Sequence, residues 1–147
     1  MDPTPTATHA MLQPVVALIA WTLVMLGWTM ATRLPAMARA GVKLSALVGS
    51  KAADADRSLP AAAQWKAHNY NHLMEQPTLF YAICAVIALT GTGDGVNAAI
   101  AWVYVGLRVI HSLVQATTNK VGPRFMLFIA SSIALAALTL HAALAVF

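Results

Sequence analysis

Charge is scarce in this chain, and acidic charge is scarcest. Of 147 residues only 10% are Asp, Glu, Lys or Arg, and five of those are acidic against nine basic. Soluble domains carry roughly a quarter charged residues, so an ordinary soluble domain is excluded. Cysteine is nearly absent. Cys84 stands alone inside an apolar segment, which rules out an intramolecular disulfide and reads as a small buried hydrophobe. No glycine-rich phosphate loop and no Ser/His/Asp set occurs. The basic residues are not interleaved with aromatics, so the net charge of +4 does not point to nucleic acid.

What the chain has in quantity is apolar length. Hydrophobic residues make up 59%, and the mean hydropathy is +0.69. The sequence predicts an integral, all-α membrane protein with one domain over residues 1–147. Four spans are expected at about 11–32, 64–89, 96–119 and 124–146, forming an antiparallel up-down four-helix bundle. The first span has no charge, no Lys or Arg precedes it, and Arg33 follows. A cleaved leader has the opposite flanks, so this reads as a retained helix. The polar stretch Met1–Ala10 is expected to fray.

Arg33, Arg39, Lys43, Lys51, Arg57 and Lys66 crowd the first connection, and Lys120 and Arg124 lie at the third. With four spans these connections share a side. The positive-inside rule places that side in the cytoplasm and both termini outside it, a bacterial inner membrane being the expected host. Within the first connection, Gly41–Val48 is expected to form a short interfacial helix, and Asp54 and Asp56 a solvated turn. Thr90–Gly95 and Val121–Pro123 are expected to be tight turns.

Two spans carry polar stripes. At about 100° per residue, His68, His72 and Glu75 fall at roughly 0°, 40° and −20°. In the third span Tyr104, Arg108, His111, Ser112, Gln115 and Asn119 fall within roughly 100° of one another, with Val105, Leu107, Ile110 and Val114 assigned to the opposite face. Buried charges in a membrane are costly unless they face a protein interior. At 1.5 Å per residue, Glu75 lies roughly 13 Å and Arg108 roughly 16 Å in from the basic end. The expectation is a Glu75–Arg108 pair, with His72 near His111 and Asn69 near Gln115. Pro77 is expected to free the carbonyl near Leu73. His68, His72 and Glu75 could also suit a metal, but the carboxylates are too few, and no metal is expected.

The stretch Asn69-Tyr70-Asn71-His72-Leu73-Met74-Glu75-Gln76-Pro77-Thr78-Leu79-Phe80, the stretch Arg108-Val109-Ile110-His111-Ser112-Leu113-Val114-Gln115, and Arg124-Phe125 resemble the MAPEG family, membrane-associated proteins of eicosanoid and glutathione metabolism. The resemblance implies a homotrimer of four-helix protomers that binds glutathione between subunits. It also implies a lipophilic substrate arriving from the surrounding lipid, as in a glutathione transferase or peroxidase. Carried over, Asn71 or His72 with Glu75 match the family's second-helix signature, Arg108 matches its third-helix arginine, and Arg124 is the catalytic arginine that poises the thiol. Asn69, Asn71, His72, His111 and Gln115 are expected to shape the binding site that Glu75 and Arg108 organise. Lys66 and His68 stand where family enzymes usually have an arginine, and His111 and Gln115 stand where better-known members have tyrosines. A non-catalytic lipid-binding or scaffold protein of the same fold is the alternative.

Overall fold

The computed structural model describes residues 5–49 and 52–147 and is helical throughout its regular structure. Helix α1 spans Pro5–Arg39. A single 3-10 turn, Leu44–Ala46, and a short helix α2, Ala52–Ser58, follow in the first connection. Helices α3 (Ala61–Leu73) and α4 (Gln76–Leu89) form the second crossing, α5 (Gly95–Thr117) the third, and α6 (Val121–Val146) the fourth. Four segments are long and apolar enough to cross a bilayer: Ala7–Arg39, Ala61–Leu89, Gly95–Thr117 and Val121–Val146. Together they make a four-helix transmembrane bundle.

Helix α1 buries one seam. Ala7, Met11, Pro14, Leu18, Thr22, Met25, Thr29 and Ala36 are buried, in steps of three or four before a final step of seven. That spacing keeps one stripe against α3, α4 and α5 in the manner of antiparallel bundles. The two seam threonines cost little, because their hydroxyls donate back to Leu18 O at 2.9 Å and Met25 O at 2.8 Å. Trp21 and Trp28 are half-buried and pack against the core rather than standing wholly in lipid. The Lys66 ammonium lies 5.5 Å from the Trp28 ring centroid, a cation–π contact between the ends of α1 and α3.

The apolar core runs from Met11 through Phe80, Cys84 and Ile87 to Leu135 and Leu138. Phe80 and Tyr104 stack at 4.3 Å between α4 and α5. Ser131 and Ala134 are buried on α6, where small side chains let α5 and α6 approach closely. The α4–α5 turn closes the far end. A Cβ at Gly93 would lie 2.7 Å from both Ala7 O and Met11 Cβ, so only glycine lets this turn seat against the start of α1. The Asn97 and His141 side chains join α5 to α6 at 2.6 Å nearby.

Several expectations are revised. Pro5–Ala10 is helical, and the rest of the stretch expected to fray, Met1–Thr4, lies outside the described residues. The interfacial helix expected over Gly41–Val48 shrinks to the single turn Leu44–Ala46. Asp54 and Asp56 belong to a helix rather than a turn. Asp56 is held by Gln64 Nε2 and His68 Nε2, both donating to Oδ1 at 2.7 Å. These bonds hold the Asp56 carboxyl below its ordinary value of 3.8. The third turn lies at Asn119, whose φ is +51°. Val121, Gly122 and Pro123 instead open α6, where proline costs no backbone bond because first-turn N–H groups have no helical partner.

Candidate functional site

The second crossing is broken, and the break builds the site. Pro77 has no N–H, so Leu73 loses its helical partner. The chain stops α3 at Leu73 and restarts α4 at Gln76, with Pro77 tolerated in the first turn. Met74 N donates to Asn71 O at 2.9 Å, and Thr78 Oγ1 donates to Glu75 O at 2.6 Å. Both bonds satisfy groups the break has released.

Arg108 is completely buried. Its Nη2 donates to the carbonyl of His72 at 3.2 Å, a group loosened by the break. The expected Glu75–Arg108 ion pair is absent: among the described residues no salt bridge joins them. Glu75 turns outward, its side chain 68% exposed, and its carboxylate accepts from His72 Nδ1 at 2.9 Å. The two charges therefore act on opposite sides of one residue. Arg108 holds the backbone of His72 from within, and Glu75 holds its imidazole from without. The reason is local. Helical phase does not carry through Met74 and Glu75, so an angle counted from His68 misplaces the carboxylate.

Helix α5 is unbroken, and its angular reading holds better. Tyr104, Arg108, His111, Ser112 and Gln115 are all buried on one face. Val105 joins them rather than lying opposite, since three residues before Arg108 is roughly 60° away. Asn119 leaves the stripe with the helix end and accepts from Arg124 Nη1 at 2.5 Å.

His72 and His111 meet as expected, with ring centroids 5.0 Å apart, and Phe128 lies 5.8 Å from His72. With Arg124, Phe125 and Val121 they line a cavity of about 250 Å³ that opens to the outside of the bundle. Arg124 spends one donor on Asn119, while its buried Nε has no partner. Asn69 and Gln115 lie deeper, both buried, and no hydrogen bond joins them. Asn71 is exposed beside Glu75.

Six side-chain atoms on the inner faces of α3 and α5 have no protein partner: both amide atoms of Asn69, Nε and Nη1 of Arg108, Ser112 Oγ and Gln115 Oε1. Buried polar atoms are nearly always paired. This group is a demand for hydrogen bonds that the side chains of the described residues do not meet. No cluster of three or more His, Cys, Asp or Glu among the described residues could hold a metal; His68 and His72 each bond a different carboxylate.

Sequence reasoning overlooked two contributors. Phe128 sits four residues after Arg124, so helical spacing alone placed it on the arginine's face. Gln76 donates to Ser132 Oγ at 2.7 Å and ties α4 to α6; no local pattern signals that pairing.

The MAPEG family model matches residues 11–144. The chain belongs to the MAPEG family. No curated protein and no solved structure matches it. As a member of this family with four candidate spans, the chain is a multi-pass integral membrane protein.

Proposed function

We propose that this MAPEG protein binds glutathione at the surface formed by α3, α5 and the start of α6, and transfers it to, or uses it to reduce, lipophilic electrophiles. The observation that carries this reading is the convergence of His72, His111 and Arg124 with Phe125 and Phe128 in one outward-facing cavity. Glutathione supplies a thiol whose ionised form is the nucleophile. Arg124 brings a permanent cation with an uncommitted donor to that cavity, which favours an anion there. Asn71 and Glu75 present an acceptor-rich patch suited to an ammonium or a peptide N–H. Asn69 and Gln115 border the site from within, and His72 and His111 form its wall. Arg108 is a positioning residue, since its bond to the His72 carbonyl holds the helix break that aims Glu75.

His68, Asn71, Glu75 and Thr78 are exposed on α3, on α4 and at the break between them, and so are apolar residues such as Met74 and Leu79. Polar groups at this depth need cover. A homotrimer supplies it by seating a second copy there, and the surrounding lipid supplies the substrate. The two basic connections put their shared side in the cytoplasm and both termini outside it, in a bacterial-type inner membrane.

The test is thermal unfolding in detergent with and without glutathione, alongside turnover of chlorodinitrobenzene. Glutathione raises the melting temperature of the wild type. Arg124→Ala keeps most of that shift and loses about 100-fold in turnover. Glutathione binding without an ultraviolet thiolate signal identifies a non-catalytic binding protein. No shift in a protein that is still trimeric overturns the proposal.

A further inference from the structure

A second cavity, of about 380 Å³, lies at the basic end of the bundle, away from the histidine site. Met30, Leu34 and Met37 form one wall from the last turns of α1, and Ala55 of α2 with Leu59 just after it form the other. Those wall residues step by four and three along one face of α1. Arg33 lies on the same face and also lines the cavity. An otherwise apolar stripe thus carries one guanidinium. The size and the largely apolar lining with few polar groups, chiefly Arg33 and Asp54, are typical of a small-molecule site.

Its place in the fold says what would occupy it. Helix α1 has 35 residues, roughly 52 Å at 1.5 Å each, which exceeds the roughly 30 Å hydrocarbon layer. The turns bearing Met30 to Met37 therefore stand at the lipid headgroup level. Met30 and Leu34 are both more than 40% exposed, so the cavity mouth is continuous with the lipid-facing side of α1. Arg39, Lys43 and Arg57 lie close in sequence to its lining residues. Of the two carboxylates there, Asp54 lines the cavity, and Asp56 is engaged by Gln64 and His68. That second contact straps α2 across α3 and keeps the outer wall in place. Arg33 and Asp54 balance in the lining itself, but the segment from residue 30 to 59 has five basic residues against two acidic ones, so this part of the chain is net positive.

We propose that this cavity holds one acyl chain of an anionic phospholipid, with its phosphodiester accepting from the Arg33 guanidinium. The apolar walls take the chain, and Arg33 takes the head in the paired geometry that guanidinium and phosphate favour. The site is separate from the glutathione surface and does not depend on it.

Native mass spectrometry of the detergent-purified protein tests this after exchange into equal phosphatidylglycerol and phosphatidylcholine. The wild type retains one phosphatidylglycerol per protomer with about tenfold preference over phosphatidylcholine. Ala55→Trp fills the cavity and abolishes retention. Arg33→Gln keeps a bound lipid but loses the preference. Leu23→Trp, on the lipid-facing side of α1, changes neither. Undiminished preference in Arg33→Gln overturns the proposal, and so does a loss in Leu23→Trp equal to that in Ala55→Trp, which marks annular lipid. Should Ala55→Trp fail to fold, Arg33→Gln alone decides.

Discussion

Two helical crossings bring polar residues into the same bundle, and they treat them in opposite ways. Helix α5 keeps Tyr104, Arg108, His111, Ser112 and Gln115 on one buried face. The α3–α4 crossing divides its set, with Asn69 fully buried, His72 half-buried, and His68, Asn71 and Glu75 exposed. The first helix is continuous for 23 residues, and the second is interrupted at Met74 and Glu75. An uninterrupted helix turns sequence spacing into direction. A broken one uses its polar residues on two fronts, inward to hold the fold and outward toward whatever covers the protomer.

The sharpest way to break this contrast is at Arg108. Arg108→Ala leaves a cavity and strips the His72 carbonyl of its guanidinium donor, leaving it only a 3.4 Å bond from Glu75 N, and is expected to cost about 3 kcal/mol in thermal or denaturant unfolding. Arg108→Met, which keeps the volume and removes the buried charge, is expected to cost only about 1 kcal/mol. Equal losses would mean that the charge, and not the filled space, matters.

Pro77→Ala comes next. It restores the N–H that Leu73 lacks and lets α3 run into α4. Stability is expected to change by no more than about 1 kcal/mol, because the regained backbone bond offsets the disturbed Arg108–His72 contact. Glutathione affinity is expected to fall about tenfold as Glu75 rotates with the helix. An unchanged affinity would show that the break does not aim the carboxylate.

Glu75→Gln probes the outward front. The His72–Glu75 bond is surface-exposed on the carboxylate side, and its loss is expected to alter protomer stability by about 0.5 kcal/mol or less. On the proposed function, the effect belongs instead in glutathione binding and in subunit association measured by light scattering. A large stability loss without either change would move Glu75 to the structural side of the comparison.

The smallest effect is local and depends on pH. Hydrogen bonds from His68 and Gln64 lower the Asp56 carboxyl in the folded state. The stabilisation is therefore fully present above the ordinary value of 3.8 and is lost as pH falls through the lower folded value. Hydrogen exchange of α2 is expected to quicken only in that acid range. Asp56→Asn, which cannot titrate, is expected to show no such acid step.

The reading of α5 succeeded because burial there repeats every three to four residues from Ala101 to Ala116, about four turns. The His72–His111 contact followed from matched depths on two antiparallel crossings. The Glu75–Arg108 pair did not form, although Pro77 announced a disturbance. A proline signals that a backbone bond is lost, not which group replaces it. Arg108, 36 residues from His72 in sequence, took that residue's carbonyl rather than the one Pro77 freed at Leu73, and Glu75 turned to the outside. Asp56 similarly looked like a solvated turn, because neither Gln64 nor His68 is a local partner in sequence.

By itself the sequence determined the solvent and the architecture. Long apolar runs with almost no charge can be stable only in lipid, and four of them must cross as helices because every backbone group needs a partner there. It also determined that α5 has a single polar face. Only the tertiary structure decided which polar groups meet: that Arg108 takes a carbonyl instead of a carboxylate, that Arg124 joins two histidines and Phe128 at one cavity, and that α2 roofs another. Those outcomes depend on where a helix breaks and which neighbour reaches the freed group first in space, and linear spacing holds no record of either.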